Sequence, residues 1–134
     1  MKIILFIIFF IFYFPSIVLS ENYKFKKIAS LDEPWGSSFI NYNEIIITEK
    51  SGNIKIINFL TNDVTILEHN LNFLEYGQGG LLDILYKDNF LWISYSENRG
   101  NSKTSTSIAK TKLDKKKLSF KNIFQANPPI KSGY

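Results

Sequence analysis

The sequence contains no cysteine, and His69 is the single histidine among its 134 residues. Without thiols the chain forms neither disulfides nor thiolate metal sites, so its stability must come from burial of apolar side chains. His69 has no serine, cysteine or second histidine at a spacing that suggests a catalytic triad or a zinc site. We therefore interpret His69 as a surface or edge-strand residue.

The sequence also lacks a stripe of arginines interleaved with aromatic residues, the pattern typical of a nucleic-acid interface. The formal net charge is +4, and the dense basic run from Lys115 to Lys117 is typical of a solvated turn. We expect no nucleic-acid partner. Hydrophobic residues make up 45% and charged residues 21% of the chain, which is far from the composition of a disordered protein and predicts a packed core.

The first twenty residues have the pattern of a secretory signal peptide. One lysine precedes an apolar stretch from Ile3 to Tyr13, Pro15 interrupts the run, and Val18 and Ser20 occupy the −3 and −1 positions of a cleavage site. We predict a signal peptide over residues 1–20, a folded region over 21–134, and no stable membrane span after cleavage. An uncleaved anchor is the alternative, because the apolar run approaches the roughly 20 residues that span a bilayer. Either interpretation predicts export, to the periplasm or the medium.

From Tyr23 onward the chain reads as short strands. Runs of four to seven apolar and β-branched residues recur about every ten residues, and no 3.6-residue amphipathic pattern persists for three turns. The turns Ser51-Gly52, Thr61-Asn62-Asp63 and Lys87-Asp88-Asn89 predict hairpins. The predicted strands are Tyr23–Ala29, Gly36–Ile40, Glu44–Thr48, Asn53–Phe59, Val64–Leu67, Leu81–Tyr86, Phe90–Ser96, Thr106–Thr111 and Phe120–Gln125.

Many short antiparallel strands predict an all-β sandwich, barrel or propeller, and their spacing does not choose among the three. About nine strands would make roughly two four-stranded propeller blades, which cannot close a ring. The chain ends in the loop from Pro128 to Tyr134 without a final strand. We interpret it as a truncated part of a longer protein.

Three segments in order carry a resemblance to a known family. They are LDEPWG over Leu31–Gly36, IIITEKSGNIKII over Ile45–Ile57, and GQGGLLD over Gly77–Asp83, the last followed by the strand Phe90–Ser96. Together they resemble the glucose/sorbosone dehydrogenases, over nearly all of the chain from about residue 27. Lys50 replaces the arginine that usually follows Thr-Glu, and the turn before Phe90 is shorter than in the family. The resemblance implies that the chain holds about the first two blades of a six-bladed β-propeller.

The resemblance also implies a function for the full-length protein. Family members are pyrroloquinoline quinone-dependent oxidoreductases that oxidise an aldose sugar or a related aldehyde or alcohol, with calcium and an external electron acceptor. Their catalytic base is the histidine of a His-Phe-Gly motif, which would follow directly after Tyr134. We therefore assign no catalytic, cofactor-binding or metal-binding residue within the chain and expect the chain alone to be inactive. The alternative is a non-catalytic secreted β-propeller that binds a carbohydrate or a protein.

Gln78 is the one site residue that the resemblance assigns, as a ligand of the sugar. A side-chain amide both donates to and accepts from a hydroxyl, and flanking glycines allow a close approach of the backbone. The alternative is a solvated loop glutamine. We expect Trp35 and Trp92 to be packing residues rather than sugar-stacking residues. We assign no catalysis to Asp83, and no acid/base pair for glycoside hydrolysis is recognisable among Asp32, Glu33, Glu44 and Glu49.

Overall fold

The computed structural model describes residues 23–131, so the predicted signal peptide over residues 1–20 lies outside the described residues. All regular structure in this range is β, in agreement with the all-β prediction. The ten strands are β1 Pro34–Asn41, β2 Glu44–Glu49, β3 Ile54–Asn58, β4 Val64–His69, β5 Leu81–Lys87, β6 Phe90–Asn98, β7 Lys103–Lys112, β8 Lys117–Leu118, β9 Lys121–Gln125 and β10 Ile130–Lys131. No helix that could cross a membrane occurs in this range.

The first sheet is an antiparallel meander in the order β1-β2-β3-β4. Its hairpins form at the predicted turns, where Gly52 has a φ of 111° and Asn62 a φ of 61°. Only glycine, and less easily asparagine, adopts such positive φ at low cost, which is why these residues end the strands. The two-residue strand β8 adds to the far edge of the sheet, parallel to β4.

The second sheet repeats the meander with β5, β6 and β7. The β5–β6 turn has positive φ at both Asp88 and Asn89, which is the backbone of the two-residue hairpin turns that match strand twist. Two strands share the outer edge of β7: β9 pairs with its middle, and β10 pairs with its beginning. The first sheet therefore has four longer strands and the short fifth strand β8, and the second has four positions, the outermost divided between β9 and β10.

The two sheets pack face to face around one core. Ile46, with no exposed surface, and its neighbours on β2 are covered on both sides, as their uninterrupted apolar run predicts. The core contains residues from both sheets and from the segment after β7: Ile46, Ile54, Ile56, Leu67, Leu81, Ile84, Leu91, Ile93, Tyr95, Ala109, Leu118 and Phe120. This packing brings β1 and β2 of the first sheet against β5 of the second.

One predicted strand is wrong. The segment Tyr23–Ala29 has no strand structure, and Tyr23 and Phe25 are 78% and 101% exposed. Only Tyr23 and Phe25 alternate with lysines as in a strand. A strand also needs a neighbour for its backbone hydrogen bonds, and within residues 23–131 none pairs with this segment. The short strands β8 and β10 were not predicted, because two residues carry no periodic signal. Strand β7 begins at Lys103 rather than Thr106, since its first residues extend the ladder with β6 as far as Asn98.

Candidate functional site

The Thr-Glu-Lys segment at the end of β2 lies where the two sheets meet. Thr48 is fully buried, and its hydroxyl accepts from the backbone N–H of Gly36 at 3.0 Å and donates to the carbonyl of Leu82. The carbonyl of Lys50 accepts from the N–H of Leu81 at 3.3 Å. These bonds join β1, β2 and β5 through polar groups that would otherwise be buried without partners. We call this contact between the two sheets the seam.

Glu49 is a fully buried carboxylate within the seam. It accepts from Lys55 Nζ at 2.6 Å, from the backbone N–H of Asp32 at 2.7 Å and from Asn53 Nδ2 at 2.8 Å. Burial raises the pKa of Glu49, but these hydrogen bonds and the charge of Lys55 outweigh burial, so its pKa lies below the usual value. Glu49 is therefore a charged structural anchor that ties the start of β1 to the β2–β3 hairpin.

Two glycines allow the strands to approach closely at the seam. A Cβ on Gly36 would lie 2.6 Å from the Cα of Asp83, and a Cβ on Gly80 would lie 2.2 Å from the carbonyl oxygen of Lys50. Gly80 also has a φ of 146°, which side-chain-bearing residues rarely adopt. Glycine at these two positions is thus required by the contact between the sheets, and Asp83, whose side chain is exposed, contributes its backbone to that contact.

Both strands that meet at the seam contain a β-bulge. Along β1, Pro34 pairs with Glu49 and Gly36 with Thr48, so Trp35 is one extra residue without a partner on β2. Along β5, the register likewise shifts between Leu81 and Ile84. A bulge bends its strand and changes the direction of the side chains beside it, which is why bulges often border binding sites.

A pocket of about 430 Å³ opens beside the seam. Gln78, the predicted sugar ligand, lines it together with Trp35 and Tyr76. Gln78 is exposed, and its amide makes no hydrogen bond to any part of the chain that the structure describes. The predicted site residue thus faces a cavity with its donor and acceptor both available. The pocket also contains Gly79, Leu82, Ser96, Thr104, Ser105, Thr106, Ala126, Pro128, Ile130 and Lys131.

A polar network supports the wall of the pocket that comes from the second sheet. Arg99 donates to the hydroxyl of Ser105 at 3.0 Å and lies 3.7 Å from the carboxylate of Glu97. Glu97 in turn accepts from Ser107 at 2.7 Å and from Gln125 at 2.8 Å. These residues were not singled out from the sequence. The only signal was the alternation of Ser105 and Ser107 along β7, which places both on its buried face.

The residues present suit a neutral, hydroxyl-rich ligand better than the expected cofactors. Lys131 is the one charged side chain among the described residues of the pocket, whereas a quinone that carries several carboxylates requires more cationic partners. Residues 23–131 contain no group of three or more His, Cys, Asp and Glu side chains arranged to hold a metal ion. Neither the quinone nor calcium can therefore be assigned to side chains of the described chain.

Of the other residues considered in the sequence analysis, His69 and Trp92 lie outside the pocket and Trp35 lines it. The Nε2–H of His69 donates to the carbonyl of Gly52 at 2.7 Å, and its Nδ1 accepts from the N–H of Leu71 at 3.3 Å. Trp92 packs on Lys110, whose Nζ lies 4.1 Å from the ring centre. Trp35, by contrast, is 49% exposed, lines the same pocket as Gln78 and belongs to no core cluster within residues 23–131.

Comparison with known proteins gives a consistent assignment. A family model described as glucose/sorbosone dehydrogenase matches residues 31–134. No curated protein matches the chain. Among solved structures, a glucose dehydrogenase is 24% identical with a TM-score of 0.69, over 75% of this chain and 32% of its own. The soluble aldose sugar dehydrogenase from Escherichia coli, in the apo form, is 27% identical with a TM-score of 0.67, over 74% of this chain and 31% of its own.

A third solved structure is the PQQ-bound form of an aldose sugar dehydrogenase from Streptomyces coelicolor. It is 18% identical with a TM-score of 0.59, over 74% of this chain and 32% of its own. The chain thus spans about a third of the length of the structures that it matches. The predicted fold class is confirmed: the two antiparallel meanders correspond to blades of a β-propeller.

Proposed function

We propose, from the premise that this chain belongs to the glucose/sorbosone dehydrogenase family, that it forms part of a quinone-dependent oxidoreductase acting on an aldose sugar. The soluble aldose sugar dehydrogenases among its structural neighbours support this substrate class. The predicted signal peptide over residues 1–20 supports export as a further part of the proposal. Electrons removed from the sugar would pass through the quinone to an external acceptor.

The observation that carries the proposal is the position of Gln78. Its side-chain amide borders a pocket, is exposed, and has no hydrogen-bond partner in residues 23–131. An amide can donate to one sugar hydroxyl and accept from another, so a single side chain can fix the orientation of the ring. Gln78 therefore has the chemistry of a residue that binds and orients a sugar, and it does not transfer the proton.

The proton-accepting group is proposed to lie in sequence that follows Tyr134, as the histidine of a His-Phe-Gly motif. The quinone supplies the hydride acceptor when it is bound, and calcium is proposed to accompany it. Both groups would be held largely by that further sequence, because the described pocket contains only Lys131 as a charged side chain. The contribution of the present chain is one wall of the substrate pocket.

The test is a dye-reduction assay of the full-length protein with added quinone, calcium and a panel of aldoses. We expect turnover of at least one aldose that disappears when the quinone is omitted. Absence of turnover on every sugar would overturn the proposal. Retained sugar binding would then identify the alternative, a non-catalytic carbohydrate-binding propeller, and sequencing past Tyr134 would show whether the histidine is replaced.

The role of Gln78 is tested by the variant Gln78→Ala. Losing one neutral hydrogen bond in a binding site costs about 1 kcal/mol, so KM for the preferred aldose should rise roughly five- to tenfold. The unfolding temperature should not change, because Gln78 is exposed. Glu75→Ala is the matched control, since Glu75 is exposed in the same loop and does not line the pocket. Equal KM values for wild type and Gln78→Ala would remove Gln78 from the site.

A further inference from the structure

Trp35 has an unusual position for a tryptophan in a small β-structure. Its neighbour Gly36 points into the seam, where the backbone of Asp83 leaves no space for a side chain. Trp35 is the extra residue of the β1 bulge and has no partner on β2. Successive residues of a strand face opposite sides, so Gly36 enters the contact between the sheets while the indole of Trp35 lines the pocket.

Trp35 is 49% exposed in the part of the chain that the structure describes. Burying an indole stabilises a fold by a large amount, so a half-exposed tryptophan on a short strand is informative. Its ring stacks on no other aromatic ring, and its indole N–H has no hydrogen-bond partner, in the range 23–131. Trp92 provides the contrast, since its ring is covered by the Lys110 ammonium group at 4.1 Å.

The groups that share the pocket with Trp35 define the ligand that it suits. Gln78 offers an amide for hydroxyl groups, and Tyr76, 60% exposed, offers a second aromatic ring. A pyranose ring has equatorial hydroxyls at its rim and an apolar C–H face. The rim fits the amide, and the C–H face fits an aromatic plane.

We propose that Trp35 is a further substrate-binding residue, which stacks on the C–H face of a ring-closed sugar while Gln78 binds the ring's hydroxyls. This inference rests on the proposed function and names the form of the substrate. It predicts selectivity for ring-closed aldoses over short open-chain aldehydes, which present no C–H face to the indole.

The experiment compares Trp35→Ala, Trp35→Phe and Trp92→Phe in the full-length protein loaded with quinone and calcium. For a pyranose substrate, KM should rise about tenfold in Trp35→Ala, the loss expected when one stacking contact is removed, and by no more than about twofold in Trp35→Phe. For glyceraldehyde, KM should be the same in all variants. Trp92→Phe is the matched control, since Trp92 does not line the pocket.

The two proposals fail in distinguishable ways. If the wild type oxidises aldoses and Trp35→Ala has an unchanged KM for the pyranose, the inference on Trp35 is wrong while the proposed function stands. If Trp35→Ala raises KM equally for glyceraldehyde, the residue shapes the pocket without stacking, and the inference is again wrong. If the wild type oxidises no aldose, the proposed function fails, and calorimetric titration of the same sugar decides on Trp35: weaker binding by Trp35→Ala supports stacking, and equal or absent binding overturns it.

Discussion

Two sequence motifs contribute residues both to the seam and to the pocket beside it, and the two regions differ in burial and in hydrogen bonding. Gly36 and Gly80 enter the seam, where Thr48 and Glu49 are fully buried and hydrogen-bonded. Trp35 and Gln78, one and two residues away, line the pocket and leave their polar groups without partners in the described chain. Adjacent residues of one motif thus belong to different environments.

Neighbouring residues of one short motif can therefore have different structural roles. The Pro-Trp-Gly and Gly-Gln-Gly-Gly segments each supply a glycine for backbone contact and a larger residue for the pocket. A substitution at a seam residue should therefore change stability, and a substitution at a pocket residue should change affinity. This distinction is wrong if a seam variant lowers the affinity without lowering the stability, or if a pocket variant lowers the stability.

The largest expected effect is on the seam, in the variant Gly80→Ala. The new Cβ would lie 2.2 Å from the carbonyl oxygen of Lys50, and the φ of 146° is strained for alanine. We expect the free energy of unfolding of the full-length protein to fall by about 3 to 5 kcal/mol, from steric overlap and backbone strain together. Urea denaturation followed by circular dichroism measures this change.

Gly77→Ala is the control for Gly80→Ala. Gly77 also has a positive φ, of 56°, but a Cβ there would meet no atom within 4 Å. Its expected cost is only about 1 kcal/mol, from the left-handed backbone alone. If both variants were equally destabilised, the close approach at the seam would be refuted as the reason for glycine at position 80.

A smaller effect is expected for the buried charge of the seam, in the variant Glu49→Gln. Glutamine offers one acceptor oxygen where the carboxylate meets three donors, and its amide nitrogen would face a donor such as Lys55 or Asn53. We expect a loss of about 2 to 3 kcal/mol in the free energy of unfolding. Glu44→Gln, which breaks the more exposed pair with Lys115, should cost no more than about 1 kcal/mol.

The same carboxylate makes stability depend on pH. Because hydrogen bonds hold the pKa of Glu49 below its ordinary value of 4.5, the unfolded chain binds a proton more readily than the folded one just below that pH. The contribution of Glu49 is therefore complete above pH 4.5 and is lost as pH falls from there through the lower folded-state pKa. Thermal melts across this range should show a shallower acid-induced loss in Glu49→Gln than in the wild type, and parallel curves would contradict the assignment.

How far the sequence predicted the molecule can be judged from particular residues. Local signals located most strands and the Ser51-Gly52 turn, since alternation and turn chemistry act within a few residues. The resemblance suggested Gln78 as a sugar ligand, and Gln78 lines a pocket, so its role in sugar binding stays a prediction. The failed strand Tyr23–Ala29 shows the limit of local pattern, because pairing depends on a distant partner.

The exposure of Trp35 could not be predicted from the sequence pattern. Large aromatic residues are usually packing residues, and the side of β1 that becomes covered depends on its packing against the distant strand β5. The support of the pocket wall by Arg99 and Ser105 was missed for a related reason, since their contact requires the strand β7 to fold back beside β6. Both features depend on how distant or neighbouring strands pack and align, which the local sequence pattern does not predict.

The smallest effect is expected for a substitution of His69, which lies outside the pocket. Its two ring nitrogens hydrogen-bond the backbone of Gly52 and Leu71, so it fastens the β2–β3 hairpin to the segment after β4. His69→Gln keeps a donor for Gly52 and loses the other bond, which should lower the free energy of unfolding by about 1 kcal/mol. The kcat for the preferred aldose should stay within about twofold of wild type, since a lost general base typically costs about 100-fold or more. A loss of that size in kcat, with the unfolding temperature unchanged, would make His69 the base and contradict the proposal that the base follows Tyr134.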